Sequence, residues 1–354
     1  MAWIPDASKR LGASQWAKRV NLLFSFLAEP YPPLPVSPFL DPAILFFGVG
    51  LFAGLVRSNL EMPQQVSRFL SLYLLMALGL KGGFALARSG LTQEVASGLV
   101  AAVLLAVVVP LIGYAVLRRF ASGFDAAALA ATYGSVSAVT FITATQHLET
   151  HGVAFGGHMA AAMALMESPA ILIAVAMANR LRRDVPGASP PSGIGALLRE
   201  SFTEGAQLLL LGAMVVGLLS GDAGEAAMKP FAGDLFKGLL AFFLLDMGLQ
   251  AARNLPEVRG KSPAILAYAV VAPLAHASLA LGLAAALGLS VGDGALLMVL
   301  AASASYIAVP AVLRHAMPEA NPSVYFGLSL GVTFPLNLLL GIPLYSHLAQ
   351  RVLG

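Results

Sequence analysis

Tyr133-Gly-Ser-Val-Ser-Ala-Val-Thr140 interrupts a long apolar run with small and hydroxyl-bearing residues, and Ala302-Ser-Ala-Ser-Tyr-Ile-Ala-Val-Pro310 does the same in a second run. The two stretches are in register. Ser135 and Ser137 precede Ser303 and Ser305 by 168 residues, as Asp125 precedes Asp293 and His147 precedes His315. Apolar segments interrupted at corresponding places in two halves point to the central site of a secondary transporter. Gly134 lowers helix propensity and Pro310 removes a backbone donor. Both spans are therefore expected to break near mid-membrane, where irregular backbone is tolerated only if it lines a cavity. Helix N-termini at such breaks attract anions, and freed carbonyls with serine hydroxyls ligate small cations. A small oxyanion with a sodium ion suits this chemistry, since neither motif holds a fixed acid for an organic cation. The plainer reading is that Ser, Gly and Ala let helices pack closely in lipid. It suffices for any one serine but not for two clusters in register.

Composition agrees with a membrane protein. The chain of 354 residues is 58% hydrophobic and 11% charged, against about 25% charged in a soluble domain. It has no cysteine, which excludes disulfides, thiolate metal sites and cysteine nucleophiles. The net charge of +3 comes from Lys and Arg set singly between apolar runs, a pattern that gives no nucleic-acid patch.

A span needs about 20 mostly apolar residues. Ten are expected: 39–56, 66–87, 94–117, 126–147 and 156–179, then 205–219, 235–252, 263–287, 294–313 and 323–348. The fold class is thus an all-α polytopic membrane protein of ten transmembrane helices, with the fourth and ninth broken. Residues 1–37 read as an N-terminal interfacial segment, 38–180 as the first five-helix repeat, 181–204 as a cytoplasmic linker and 205–354 as the second repeat. Val107-Val-Val-Pro-Leu111 is matched by Val270-Val-Ala-Pro-Leu274, and Gly79-Leu80 by Gly248-Leu249. Five spans per half is an odd number, so the second copy is inverted relative to the first. Basic residues crowd the loops after odd-numbered spans, from Arg57 to Arg314, whereas those after even spans hold Arg88, Lys229 and Lys237. The positive-inside rule places the odd loops in the cytoplasm and both termini outside. Lys9, Arg10, Lys18 and Arg19 near the start argue the other way.

Ionisable residues inside spans are costly and usually functional. Lys81 and Asp246 occupy near-equivalent places in the two repeats, so a buried Lys81–Asp246 pair is one expectation; a structural ion pair or a snorkelling Lys81 is the other. Glu167, before Ser168 and Pro169, is a weaker candidate for the site or a proton path, as is Asn337 beside Pro335. His147 and His151 lack a third ligand in register, and no HExxH, GxSxG or phosphate-loop motif occurs. Neither catalysis nor a resident metal or other cofactor is expected.

At these residues the chain resembles the SbtA-type sodium-dependent bicarbonate transporter family, as a bacterial relative of its cyanobacterial members. The likeness covers most of the chain from about Pro38. It rests on Gly79-Leu-Lys-Gly-Gly83, Gly134-Ser-Val-Ser137, Met166-Glu-Ser-Pro-Ala170, the basic linker, and Pro318-Glu-Ala-Asn-Pro-Ser-Val-Tyr325 leading to Gly341-Ile-Pro-Leu-Tyr345. The resemblance implies a homotrimer in the bacterial inner membrane, a core domain moving against a gate domain, and uptake of bicarbonate with sodium. Substrate would lie between the two breaks, with Gly134, Ser135, Ser137, Ser303, Ser305 and Tyr306 as its candidate residues and Ser137, Thr140, Ser303 and Ser305 as candidates for sodium. A PII-like regulatory protein is a partner of the cyanobacterial members. The chain departs from their pattern at Tyr306, where they carry aspartate, at Lys81, where they carry a small hydroxyl residue, and at Asp246, where they carry an apolar one; its linker is also shorter. These departures leave open another small carboxylate as substrate, or a proton-coupled exchanger using Lys81, Asp246 and Glu167.

Overall fold

The structure is a computed structural model that describes residues 41–183 and 205–354. Nearly all of the expected N-terminal segment and inter-repeat linker lies outside these residues. The first half comprises α1 (Pro42–Leu55), α2 (Gln64–Ser89), α3 (Gln93–Leu117), α4 (Gly123–Gly134), α5 (Ala138–Thr150) and α6 (His158–Arg183). The second comprises α7 (Gly205–Lys229), α8 (Phe236–Val258), α9 (Pro263–Leu287), α10 (Val291–Ala302), α11 (Ala308–Ala316) and α12 (Pro322–Leu353). Seven helical stretches among the described residues are long and apolar enough to cross a bilayer. Their outer faces carry exposed Val100, Val215, Phe242 and Val271, a surface that suits lipid and not water.

Local chemistry sets the helix ends. Ser122, Ser137, Ser262 and Ser290 each accept a hydrogen bond from a backbone N–H three residues on, filling an orphan donor of the first turn. Gly288 closes α9 in the left-handed region at φ 68°, which costs glycine no steric penalty. α12 is one rod with two wider π-helical turns, Ser329–Thr333 and Asn337–Gly341. Such turns aim side chains that a regular helix would not, and here Thr333 and Asn337 point inward.

Two helix pairs are packed backbone to backbone. α1 lies along α8 and α2 along α7. A Cβ on Gly50 would land on the carbonyl of Leu245, and one on Gly248 on that of Phe47; Gly79, Gly83 and Gly217 leave the same absence of room between α2 and α7. Small residues four apart permit this approach in a membrane. The resemblance between Gly79-Leu80 and Gly248-Leu249 therefore marks matching contacts. Gly134, too, is explained by packing: a Cβ there would meet the ring of Pro110 at 2.6 Å.

The remaining helices form a second bundle, in which α3 packs on α4 and α6, and α10 on α9 and α12. Asp125 and Asp293 tie it together crosswise. Asp125 accepts from the N–H of Asn321 at 2.8 Å, in the turn before α12. Asp293 accepts from the N–H of Gly156 at 2.6 Å, in the turn before α6, and stands 3.6 Å from His158 Nε2. The opening aspartate of each half thus holds the other half. Because Asp293 is buried, Asp293→Ala should cost about 1–3 kcal/mol by removing the acceptor of the Gly156 N–H and the carboxylate beside buried His158; the more open Asp125→Ala should cost less. Thermal unfolding in detergent checks the ranking.

Candidate functional site

The two helix breaks cross each other at the centre of the molecule. Extended backbone at Ser135 and Ser137 separates α4 from α5, and residues 303–307 separate α10 from α11. Breaking a helix in a dry interior strands backbone groups, each of which must find a partner. Here each break serves the other. The N–H of Ser305 donates to the carbonyl of Thr132 at 2.8 Å, and the N–H of Ser137 donates to Ser303 Oγ at 3.0 Å. Asn337, from the second wide turn of α12, donates to the carbonyl of Ala302 at 2.7 Å and is itself held by the Tyr345 hydroxyl at 3.0 Å. The Tyr133 hydroxyl meets Thr333 Oγ1 at 2.6 Å, and Thr333 donates to the Ala269 carbonyl at 2.8 Å. Every one of these hydroxyl and amide groups is buried.

Most of the expected site residues meet at this crossing. Ser137 Oγ accepts from the N–H of Thr140 at 3.2 Å and from its hydroxyl at 3.0 Å. Ser305 Oγ accepts from the N–H of Val309 at 3.2 Å, and Ser303 Oγ donates to the Leu300 carbonyl at 2.9 Å. Ser135 turns towards α6, 3.4 Å from the Glu167 carbonyl. Tyr306 is buried, its ring against Phe334 and its hydroxyl 3.8 Å from Met247 Sδ.

A cavity of about 350 Å³ opens beside the crossing, lined by Val136, Ser137, Ser305, Tyr306 and Ala308 from the breaks. Ser71 and Leu75 of α2 and Ala206, Gln207 and Leu210 of α7 form its opposite wall. The cavity therefore lies between the bundle that carries the breaks and the packed pair α2–α7. Two helices begin at it. α5 starts behind the Ser137 cap, and α11 starts at Ala308 with no side-chain cap from Ile307. Their N-terminal dipoles present positive partial charge to the space. The ionisable side chains among its described lining residues are Glu167 and His315, so no Lys or Arg neutralises an anion there.

One expectation is corrected. Lys81 and Asp246 do not pair. Lys81 Nζ sits 3.0 Å from a carboxylate oxygen of Glu149, at the end of α5, and 4.3 Å from the centre of the Phe236 ring. Asp246 is buried and accepts from Gln250, one turn on, at 2.9 Å. Equivalent positions in two repeats need not be neighbours: α2 packs along α7 and α8 along α1, and Gly82, next to Lys81, faces Gly157 and Ala160. Glu167 lines the cavity and is bonded by the side-chain amide of Gln207 across it. Gln207 was not singled out from the sequence, and a lone glutamine early in an apolar run gives no signal. His147 and His151 stack at 4.2 Å, away from the residues that line the cavity.

A family model described as the Na+-dependent bicarbonate transporter superfamily matches residues 42–350. The chain belongs to that superfamily. The match spans both breaks, both packed helix pairs and the cavity. Membership sets this member of the Na+-dependent bicarbonate transporter superfamily among membrane transporters and outside the enzymes. No curated protein matches the chain in sequence.

Proposed function

We propose that the protein takes up bicarbonate together with sodium, binding both where the two helix breaks cross. The observation that carries this reading is the pair of helix N-termini and serine hydroxyls facing a cavity with no Lys or Arg among its described lining residues. An oxyanion gains from the N–H groups and dipoles of α5 and α11. With Glu167 nearby and no Lys or Arg in the described lining, a co-bound cation offsets the charge that the anion brings. Ser137, Thr140, Ser303 and Ser305 supply oxygens for it. Tyr306 adds a hydroxyl in place of a charge, which leaves cation binding to neutral oxygens and the anion itself.

In this reading the chain makes ten crossings in two inverted repeats, and α1, α2, α7 and α8 form a scaffold past which the other bundle slides. The support is packing. Backbone-to-backbone glycine contacts lock the scaffold pairs, while the wall between scaffold and bundle holds the cavity and two polar ties, Gln207–Glu167 and Lys81–Glu149. Such ties can break and remake in an elevator-type cycle. We place the protein in a bacterial inner membrane with both termini outside, on the basic loops at the opposite end.

The experiment is uptake of labelled bicarbonate into proteoliposomes. Ser137→Ala and Ser305→Ala should each lower uptake by about tenfold or more, the loss of a hydrogen bond or ligand to a charged group. Ser137→Ala also removes the α5 cap, at about 1 kcal/mol of stability, so melting is measured alongside. Uptake by both variants at the wild-type rate would remove the site assignment.

A further inference from the structure

Beside the transport cavity lies a larger groove of about 920 Å³, open between α2 and α7 and walled on one side by Phe243, Met247 and Gln250 of α8. It follows α2 from Ser67 to Leu80, about 20 Å at 1.5 Å per residue. A single leaflet of a hydrocarbon core about 30 Å thick is shorter than this. Its sides are Leu72, Met76 and Leu209, while Leu208 and Val216 at its edge are 62% and 56% exposed. Such walls offer little to a hydrated ion and much to a hydrocarbon chain.

One end of the groove differs. Arg68 stands there, exposed, with no hydrogen bond or ion pair to any described residue. Ser67 is beside it, and α2 begins at this end, at Gln64. Its first turn adds positive partial charge. A slot longer than one leaflet, apolar along its walls and positive at one end, has the pattern of an anionic lipid. We propose that the groove binds an anionic phospholipid, one acyl chain along α2 and the headgroup phosphate on Arg68. This rests on the protein's place in a membrane and not on bicarbonate as its substrate.

The groove and the transport cavity share Ser71, Ala206 and Ile307. An acyl chain in the groove therefore touches the exposed tip of the α10–α11 break, and its presence bears on movement of that break past α2 and α7.

The test uses full-length protein stripped of lipid in detergent and titrated with phosphatidylglycerol or phosphatidylcholine, with bound lipid read by native mass spectrometry. Phosphatidylglycerol should bind about fivefold more tightly, the contribution of one basic side chain to an anionic headgroup. Arg68→Gln should erase that preference. Gly212 lines the groove, and a Cβ there meets nothing within 4 Å, so Gly212→Phe should fill the slot without disturbing the helices and lower retention of both lipids. Equal retention of the two lipids by the wild type, or a preference that survives Arg68→Gln, would overturn the proposal. So would an Arg68→Gln protein that loses anion uptake but keeps its lipid, which makes the groove an ion path. A Gly212→Phe protein with altered oligomeric mass and unchanged lipid puts a second copy there, and also overturns it.

Discussion

Arg182→Met is expected to destabilise the protein by about 3 kcal/mol, the lower end of the range for breaking a buried ion pair. The guanidinium is buried at the end of α6. It donates to both oxygens of Glu319, at 2.8 and 2.7 Å, to Asn179 Oδ1 at 3.0 Å and to the Ala316 carbonyl at 2.8 Å. One side chain thus ties the last turn of α6 to the end of α11 and the turn that leads into α12. Removing it takes two hydrogen bonds from the Glu319 carboxylate and one from the helix-end carbonyl of Ala316. Glu319 keeps 24% of its side chain exposed, which limits the penalty. Arg182→Met with Glu319→Met should recover most of the loss, because an apolar pair of similar volume leaves no buried charge. Thermal unfolding of the two single variants and the double variant in detergent gives the coupling. Melting of all three at the wild-type temperature would show that the pair contributes nothing.

Gly83→Leu should have an effect at least as large, by a different route. A Cβ at Gly83 would coincide with the carbonyl of Met214 and come within 2.7 Å of the N–H of Leu218. The obstacle is backbone, which cannot rotate aside, so α2 and α7 must separate along their length. Overpacking a core costs about 1–3 kcal/mol, and a clash with backbone lies at or above the top of that range. The control is Gly282→Leu on α9, whose Cβ meets open space. Little monodisperse protein from Gly83→Leu and a normal yield from Gly282→Leu is the expected result. Equal yields would mean that the α2–α7 contact is not what holds this pair.

The sequence was most legible where chemistry is local. The span 263–287 is the observed α9 to the residue, since Ser262 and Pro263 mark its start and Gly288 its end. The serine clusters were legible for another reason: hydroxyls in an apolar run are costly unless they satisfy something, and two clusters in register satisfy each other. Asp125 and Asp293 showed the same register, but their exchange of partners between halves is a three-dimensional fact. Lys81 shows the limit. Its place in the repeat suggested Asp246, while its partner Glu149 is 68 residues away and stands out only once α5 ends beside α2. The wide turns of α12 were also hidden: Asn337 drew notice beside Pro335, but nothing in the run showed the turns that aim it and Thr333 inward.

The central claim is that an anion and sodium bind together where the breaks cross. The chain contains no cysteine, so Ala308→Cys places a single thiol at the start of α11, on the cavity wall. The decisive measurement is its rate of modification by a small charged thiol reagent, with bicarbonate and sodium present singly and together. The account predicts that the two together slow the reaction well beyond either alone. A rate unchanged by saturating bicarbonate in sodium, in protein shown to be folded, would contradict it.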